Sequence, residues 1–508
     1  MILPKEFDYK EAFSEENFFF GVAVAPYLSE GGFNYPNGIK NVYAELELTG
    51  KIEKTGEATK FWTNYEEHIK LAASLGLNAF RMGIAWSRIQ PTTSLEPHSP
   101  PEWDYNAVDH YVKIIRTIME YGMEPIITLH HFSHPAWLRK DMWLNNEGPA
   151  LFVTYALKIV EEINIRLTSS SNRVIEHFLV YNEPNLVPLM FFMTPNFSIK
   201  KQGPRYIIKA YDNMFSSYVK VYDGIYNLFQ RQKWGTPHVG FNICSQCAYE
   251  LDKLFLDLMR MRIFKIEEKN LDIQLKQFRT LWNIRIEKLA RRQLDKKSFR
   301  NYQDLIKMTH NIFHISGFKK TVAALYNSPR DKKLDYISVN IYEPFSIPKG
   351  SLDGTNLPQW WEYAMDREIY GTFIRAYNEL NFKLPFYMGE NSIAYKQPKG
   401  GIAKPRPDGW SRERYLKEYL SEMILCMSEG IPIKGYLYWS LTDDYEWNSY
   451  EPRLGLYNYD YINSSIKETD GLGEPAGKIY AELIAALRSG SKDEIFKNFS
   501  LYKYKSNS

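Results

Sequence analysis

The feature that most constrains this chain is a set of eight short segments that are apolar along nearly their whole length. Parallel strands buried on both faces have this composition. Several of the segments follow an amphipathic stretch that stops at a glycine, as residues 60–75 do before Gly76 and residues 106–121 before Gly122. We therefore predict eight buried strands, at residues 17–25, 79–87, 124–132, 176–183, 238–245, 334–342, 384–391 and 434–442.

Eight strands that alternate with helices predict an α/β chain closed into a (β/α)8 barrel, the TIM-barrel architecture. We expect residues 1–508 to form this one domain. The alternative is an open, doubly wound sheet. It is less favoured because no glycine-rich phosphate loop follows the first strand.

Composition excludes several classes of protein. The chain is 44% hydrophobic and 24% charged, which is ordinary for a globular protein and unlike a disordered or fibrous one. No stretch approaches the 18 uncharged apolar residues of a membrane span, and the first residues lack the apolar run of a signal peptide. Three cysteines suit a reducing compartment, so we predict a cytoplasmic protein.

The sequence of residues 250–330 predicts long helices inserted between the fifth and sixth strands. Residues 251–300 hold 14 lysines and arginines against 7 acidic residues. A solvated helical insertion packed on the barrel explains this pattern. The more specific alternative is a docking surface for an anionic partner or a membrane face. The net charge of the whole chain is only +3, so we predict no nucleic-acid partner. The oligomeric state stays open.

Polar and aromatic side chains stand at most of the predicted strand ends. Active sites of such barrels lie where the strands end. The ends carry Arg81, Trp86, His130, His131, Asn182, Glu183, Asn340, Tyr342, Glu390, Asn391 and Trp439. We therefore expect these residues to surround one site.

Two carboxylates at this mouth point to a reaction. Glu183 lies in the segment VYNEP and Glu390 in YMGEN, 207 residues later. A protonated and an ionised carboxyl facing each other suit the cleavage of a glycosidic bond, and in a retaining enzyme they lie roughly 5 to 5.5 Å apart.

Seven motifs in order resemble those of glycoside hydrolase family 1, the β-glucosidase and β-galactosidase family, over nearly the whole chain. They are FFFGVAVAPYLSEGG, FRMGIAWSRIQP, TLHHFSHPAWL, VYNEP, DYISVNIY, YMGENSIA and YWSLTDDYEWNSYEPRLGL. VYNEP resembles the family's acid/base motif and YMGENSIA its nucleophile motif. The resemblance implies a retaining β-glycosidase that hydrolyses terminal glucoside- or galactoside-like β-glycosides through a covalent glycosyl-enzyme.

The resemblance also implies a role for each site residue. Glu390 is expected to be the nucleophile, supported by Arg81 and Tyr342, and Glu183 the acid/base. Asn182 is expected to bind the sugar 2-hydroxyl. The remaining contacts to a small-molecule glycoside are expected from His131, Asn340, Trp439, Glu446, Trp447, Leu28, Phe132 and Trp361. No metal or cofactor is implied.

Two positions differ from the family pattern in ways that affect sugar binding. Leu28 stands where the family has a glutamine that binds sugar hydroxyls, and Phe132 stands where it has a tryptophan. Each lost hydrogen bond is worth about 0.5 to 1.5 kcal/mol. We expect weaker binding of plain glucose unless Ser29, His130 or His134 compensates.

Other readings of the same residues remain open. The same carboxylates would serve a transglycosylase that transfers the sugar to a glycoside or glycolipid acceptor. A non-catalytic sugar-binding protein is less favoured because both carboxylates are retained. Cys244 and Cys247 form a CxxC pair, but a zinc site needs about four ligands and no second pair exists. We interpret both cysteines as core or rim residues.

Overall fold

The structure is a computed structural model that describes residues 3–171, 173–193, 197, 199–351, 356–379 and 384–500. Its strands are β1 Phe19–Ala23, β2 Ala79–Gly83, β3 Glu124–Thr128, β4 His177–Leu179, β5 His238–Gly240, β6 Asn242–Cys244, β7 Ile337–Asn340, β8 Phe386–Asn391, β9 Tyr395–Lys396, β10 Ile433–Trp439, β11 Pro452–Arg453, β12 Tyr459–Asp460 and β13 Ser465–Ile466. Its helices are α1 Tyr9–Ala12, α2 Pro26–Ser29, α3 Ala44–Leu48, α4 Phe61–Ser74, α5 Trp86–Ile89, α6 Tyr105–Glu120, α7 Glu147–Ser171, α8 Val187–Phe192, α9 Pro204–Gln232, α10 Tyr249–Asp252, α11 Leu254–Leu258, α12 Leu271–Gln293, α13 Lys296–Ile312, α14 Lys319–Asn327, α15 Ser346–Lys349, α16 Arg367–Asn378, α17 Arg412–Ser428, α18 Ala476–Ser489 and α19 Lys492–Asn498.

The main sheet is parallel and closes on itself. Its strand order is β5-β4-β3-β2-β1-β10-β8-β7-β6. The first and last strands of this order, β5 and β6, are consecutive in the chain and separated only by Phe241. The ring therefore closes through one interrupted strand, and the predicted (β/α)8 class is confirmed.

The interruption of the fifth strand was not predicted. β5 pairs with β4, and β6 pairs with β7. Gly240 ends β5 where a Cβ atom would meet the Tyr336 ring at 2.9 Å, so glycine leaves room for that ring. The strands are also shorter than predicted. For example, β4 ends at Leu179, and residues 180–183 continue it with backbone hydrogen bonds that fall outside the regular strand.

Apolar side chains pack in two layers. The larger cluster lies between the sheet and the surrounding helices and includes Phe80, Ile127 and Phe178. A smaller cluster, including Ala79, Leu179 and Leu437, is separate from it. This division matches a barrel whose interior is filled by side chains and whose outer face is covered by helices.

Helices α10 to α14 lie between β6 and β7, where the sequence predicts inserted helices. Most basic side chains of residues 251–300 form ion pairs. Examples are Arg279 with Glu250 at 2.6 Å and Lys253 with Asp257 at 2.7 Å. Such pairing favours a solvated helical insertion. A docking surface for an anionic partner stays a prediction. Among the described residues, no helix is both long and apolar enough to cross a membrane.

Candidate active site

A cavity of about 760 Å³ opens at the carboxyl ends of the barrel strands. Its walls include nearly all of the side chains that the sequence predicts to bind substrate. Those on the wall are Leu28, His131, Phe132, Glu183, Tyr342, Trp361, Glu390, Trp439, Glu446 and Trp447. This volume lies in the usual range for small-molecule sites.

Glu390 is directed into the cavity by a bulge in β8. Val339 pairs with Met388 and Asn340 with Glu390, so Gly389 is an extra residue in β8. Bulges of this kind redirect side chains next to active sites. A Cβ atom at Gly389 would meet the Ser338 hydroxyl at 2.5 Å and the Asn340 amide at 2.9 Å, so only glycine fits there.

The Glu390 carboxylate is held by two donors. Arg81 Nη1 donates to Oε1 at 2.6 Å, and the Tyr342 hydroxyl donates to Oε2 at 3.0 Å. Burial raises the pKa of Glu390, whereas Arg81, Tyr342 and Asn340 lower it by stabilising the charged form. The result is a buried carboxylate whose ionised form has fixed partners on both oxygens.

Glu183 is set at the end of the fourth strand segment in an uncommon backbone conformation. Its φ is 47°, in the left-handed region. Asn340 Nδ2 donates to its Oε1 at 2.7 Å. Burial and then the charge of Glu390 raise the pKa of Glu183 to about 8. Glu183 therefore keeps its proton at neutral pH.

A hydrogen-bonded row joins Glu390 to His131. Arg81 Nη2 donates to Asn182 Oδ1 at 2.6 Å, and Asn182 Nδ2 lies 3.1 Å from His131 Nε2. Burial and the nearby Arg81 charge lower the pKa of His131, so its imidazole is neutral. Because Nε2 accepts from Asn182, the proton lies on Nδ1.

Two predicted substrate contacts lie behind the cavity wall. Asn182 and Asn340 are fully buried, and neither is among the residues that line the cavity. The Asn182 amide forms hydrogen bonds with Arg81 and His131, and the Asn340 amide forms one with Glu183. In this structure they orient their neighbours and do not meet the cavity directly.

Trp439 and Glu446 form one unit of the wall, in which the indole Nε1 donates to the carboxylate. Burial raises the pKa of Glu446 to about 8, and the charges of Glu390 and Glu183 add to this rise. Trp447 extends the wall, with its ring centroid 5.7 Å from that of Phe132.

Leu28 and Phe132 both lie on the wall, so the two apolar departures do face the cavity. Among the described lining residues, none of Ser29, His130 and His134 appears, so the three candidate substitutes for the missing hydrogen bonds do not reach it. Trp360 and Trp361 also line the cavity, and the Trp360 ring packs edge-on against Tyr342 at 5.0 Å.

Two contributors to the site were not predicted from the sequence. Cys244 lines the cavity and hydrogen-bonds the Glu183 carboxyl, whereas we interpreted it as a core or rim residue. Its position at the end of β6 was the available signal. The second is an apolar face of α8, formed by Leu186, Leu189, Met190 and Met193. Among the residues that the structure describes, no cluster of three or more His, Cys, Asp or Glu side chains has a metal-site arrangement.

Comparison with known proteins places this chain in a family. Residues 9–488 match the family model described as Glycosyl hydrolase family 1. A 6-phospho-beta-galactosidase of Clostridium acetobutylicum is 25% identical over 483 residues, covering 88% of this chain and 92% of that protein. Beta-glucosidase A of Thermotoga maritima is 24% identical over 465 residues, covering 88% and 93%.

Solved structures agree on the fold. The family 1 β-glucosidase from Thermotoga maritima in complex with isofagomine lactam has a TM-score of 0.65 at 19% identity, covering 96% of this chain and 99% of that chain. Because the family match extends over nearly all of the 508 residues, this chain belongs to glycosyl hydrolase family 1 and is a glycosidase.

Proposed function

We propose that this enzyme is a retaining β-glycosidase that acts on an uncharged terminal sugar, with Glu390 as nucleophile and Glu183 as acid/base. The observation that carries the proposal is the unequal environment of the two buried carboxyls. Glu390 has Arg81 and Tyr342 to stabilise its charge, whereas the pKa of Glu183 is raised to about 8. Such a difference assigns the acid and the nucleophile.

The chemistry proceeds in two displacements. In the first, a Glu390 oxygen bonds to the anomeric carbon, the bond from that carbon to the leaving oxygen breaks, and the Glu183 proton passes to the leaving oxygen. In the second, Glu183 takes a proton from water, the water oxygen bonds to the anomeric carbon, and the ester to Glu390 breaks. Two inversions leave the sugar with its original β configuration.

The scarcity of basic side chains at the cavity favours a neutral sugar over a phosphorylated one. The buried carboxyls that line it, Glu183, Glu390 and Glu446, supply no positive charge. Among the described lining residues, Lys51 is the only lysine or arginine. A sugar phosphate carries about two negative charges and needs basic partners. The β-glucosidase relative is therefore the better guide to substrate than the 6-phospho-beta-galactosidase.

His131 supports binding of a sugar hydroxyl. Its Nδ1 is buried and finds no hydrogen-bond partner among the described residues. The His131 ring itself lines the cavity, with its centroid 5.7 Å from that of Trp439, where the family resemblance implies a contact with a sugar hydroxyl. Glu446 and Trp447 offer further polar contacts on the same cavity, in line with the roles that the family resemblance implies.

The activity should follow a bell-shaped pH profile. Glu390 must be ionised, so kcat/KM rises as pH passes its raised pKa. Glu183 must be protonated, so kcat/KM falls as pH rises through about 8. The two limbs belong to the coupled pair. Initial rates between pH 4 and 10 test this expectation, and a rate that keeps rising above pH 9 would contradict it.

Replacing Leu28 with glutamine should improve turnover of glucosides. The new amide regains donors and an acceptor for sugar hydroxyls, and each hydrogen bond is worth about 0.5 to 1.5 kcal/mol. We expect kcat/KM for an aryl β-glucoside to rise by about 3- to 10-fold. Leu28→Met keeps the size without the hydrogen bonds and is the control. No gain in Leu28→Gln over Leu28→Met would show that Leu28 does not face the sugar hydroxyls.

A panel of aryl β-D-glycosides tests the proposed function directly. It contains the glucoside, galactoside, fucoside, mannoside, xyloside and galactoside 6-phosphate. We expect nitrophenol release from at least one neutral sugar and little from the phosphate. Activity confined to the 6-phosphate would overturn the neutral-sugar assignment. Product analysis with and without an added acceptor alcohol separates hydrolysis from glycosyl transfer.

A further inference from the structure

One wall of the cavity is an apolar face of a helix. Helix α8 and its two flanking residues read LVPLMFFM, with scarcely a polar side chain. Leu186, Leu189, Met190 and Met193 line the cavity. Their spacing of i, i+3, i+4 and i+7 is one face of a helix. The other face, with Val187 and Phe191, is buried in the outer core.

This face begins at the acid/base. The Leu186 backbone N–H donates to the Glu183 carbonyl at 2.9 Å, so α8 starts directly after the residue that protonates the leaving oxygen. The leaving group, which is attached to that oxygen, must extend away from Glu183 and from the sugar. Helix α8 is the element that adjoins Glu183 in the chain, and its apolar side chains line the same cavity.

The rest of the lining is mixed, and only the α8 face is uniformly apolar. Ile347, Leu357 and Trp360 are apolar, whereas Ser245, Gln246, Asn356 and Gln359 are polar. Glu343, another lining residue, already accepts from Lys349 at 2.9 Å and from the Ala364 backbone at 2.8 Å. A second sugar bound along α8 would leave several of its hydroxyls against side chains that form no hydrogen bonds, which is unfavourable.

We infer that the leaving group of the natural substrate is an apolar, largely aliphatic alcohol bound along α8. This inference rests on the proposed function and adds the substrate class. Leucine and methionine form the α8 side, and the flexible thioethers of Met190 and Met193 fit irregular aliphatic shapes. The cavity is also larger than a single sugar ring requires, which leaves room for such a group.

The test is a series of alkyl β-glycosides of the sugar that the aryl panel selects. Methyl, butyl, hexyl and octyl leaving groups have nearly equal basicity, so chain length changes burial and leaves the chemistry constant. Each buried methylene contributes about 0.8 kcal/mol, so we expect kcat/KM to rise about three- to fourfold per methylene until the cavity is filled. A flat series, or a preference for disaccharides over octyl glycosides, would overturn the inference.

A matched pair of variants locates the effect. Met193→Gln keeps side-chain length but adds a polar amide at the cavity, and should lower the octyl-to-methyl ratio of kcat/KM about five- to tenfold. Met427→Gln makes the same change at a half-buried methionine of α17, outside the described cavity lining, and should leave the ratio unchanged. Equal effects of both variants would contradict binding along α8.

Failure of the proposed function and failure of the apolar leaving group give different results. If no aryl glycoside is turned over, the proposed function is wrong. If aryl glycosides are turned over and the alkyl series is flat, the glycosidase assignment stands and only the apolar leaving group is lost.

Discussion

Replacing Glu390 with alanine should lower kcat on the best aryl glycoside by at least about 10⁴-fold, because no other group can form the covalent intermediate. Added azide should restore part of the rate. The shortened side chain leaves space beside the anomeric carbon, and the azide anion would attack from the face that Glu390 occupies. Its product would be the α-glycosyl azide, with inverted configuration, identified by NMR.

Glu446→Ala is the control for this result. Glu446 is another buried carboxyl of the same cavity, so its loss should weaken sugar binding and lower kcat/KM. Azide should not restore that variant, since its nucleophile is intact. Rescue of Glu446→Ala by azide, or formation of a β-glycosyl azide by Glu390→Ala, would remove Glu390 from the nucleophile role.

Replacing Glu183 with glutamine should produce a loss that depends on the leaving group. General acid catalysis contributes about 10²- to 10⁴-fold, and an alkyl alcohol needs the whole of it. A dinitrophenolate leaves without protonation, so its release in the first step should change little. The descending limb of the pH profile near pH 8 should also disappear, since the titrating carboxyl is gone.

The measurement is kcat/KM for an alkyl and a dinitrophenyl glycoside of the same sugar, across pH 5 to 9. Asn340→Ala is a useful comparison, because Asn340 donates to the Glu183 carboxyl at 2.7 Å and lines no part of the cavity. Asn340 lowers the pKa of both Glu183 and Glu390, so its removal should raise both and move both limbs to higher pH. Equal losses for both leaving groups in Glu183→Gln would rule out an acid role.

The strand pattern and the strand ends could be predicted from the sequence, because both follow local rules. Continuous apolar runs predict buried parallel strands, and side chains at their carboxyl ends meet at one mouth. Glu183 and Glu390 therefore share a cavity although 207 residues separate them. The family resemblance added the assignment of roles, which strand position alone does not supply.

Other features depend on tertiary packing that no local pattern records. The apolar face of α8 reads like an ordinary core helix, since sequence does not tell whether apolar residues meet other residues or a cavity. The burial of Asn182 and Asn340 follows from their bonds to Arg81, His131 and Glu183, which come from other strand segments. The bulge at Gly389 follows from a register between strands that only the folded sheet defines.

The break at Phe241 has a consequence for the spacing of the catalytic pair. Glu183 follows the strand on one side of this break, and Glu390 belongs to the sheet on the other side. The Glu183 backbone N–H donates to the Asn242 carbonyl at 3.1 Å and so ties the two sides together. Retaining and inverting glycosidases differ by only a few ångströms in carboxyl separation, about 5 to 5.5 against 6.5 to 9.5 Å. A substitution at Phe241 that loosens this closure would thus alter reaction geometry from outside the pocket.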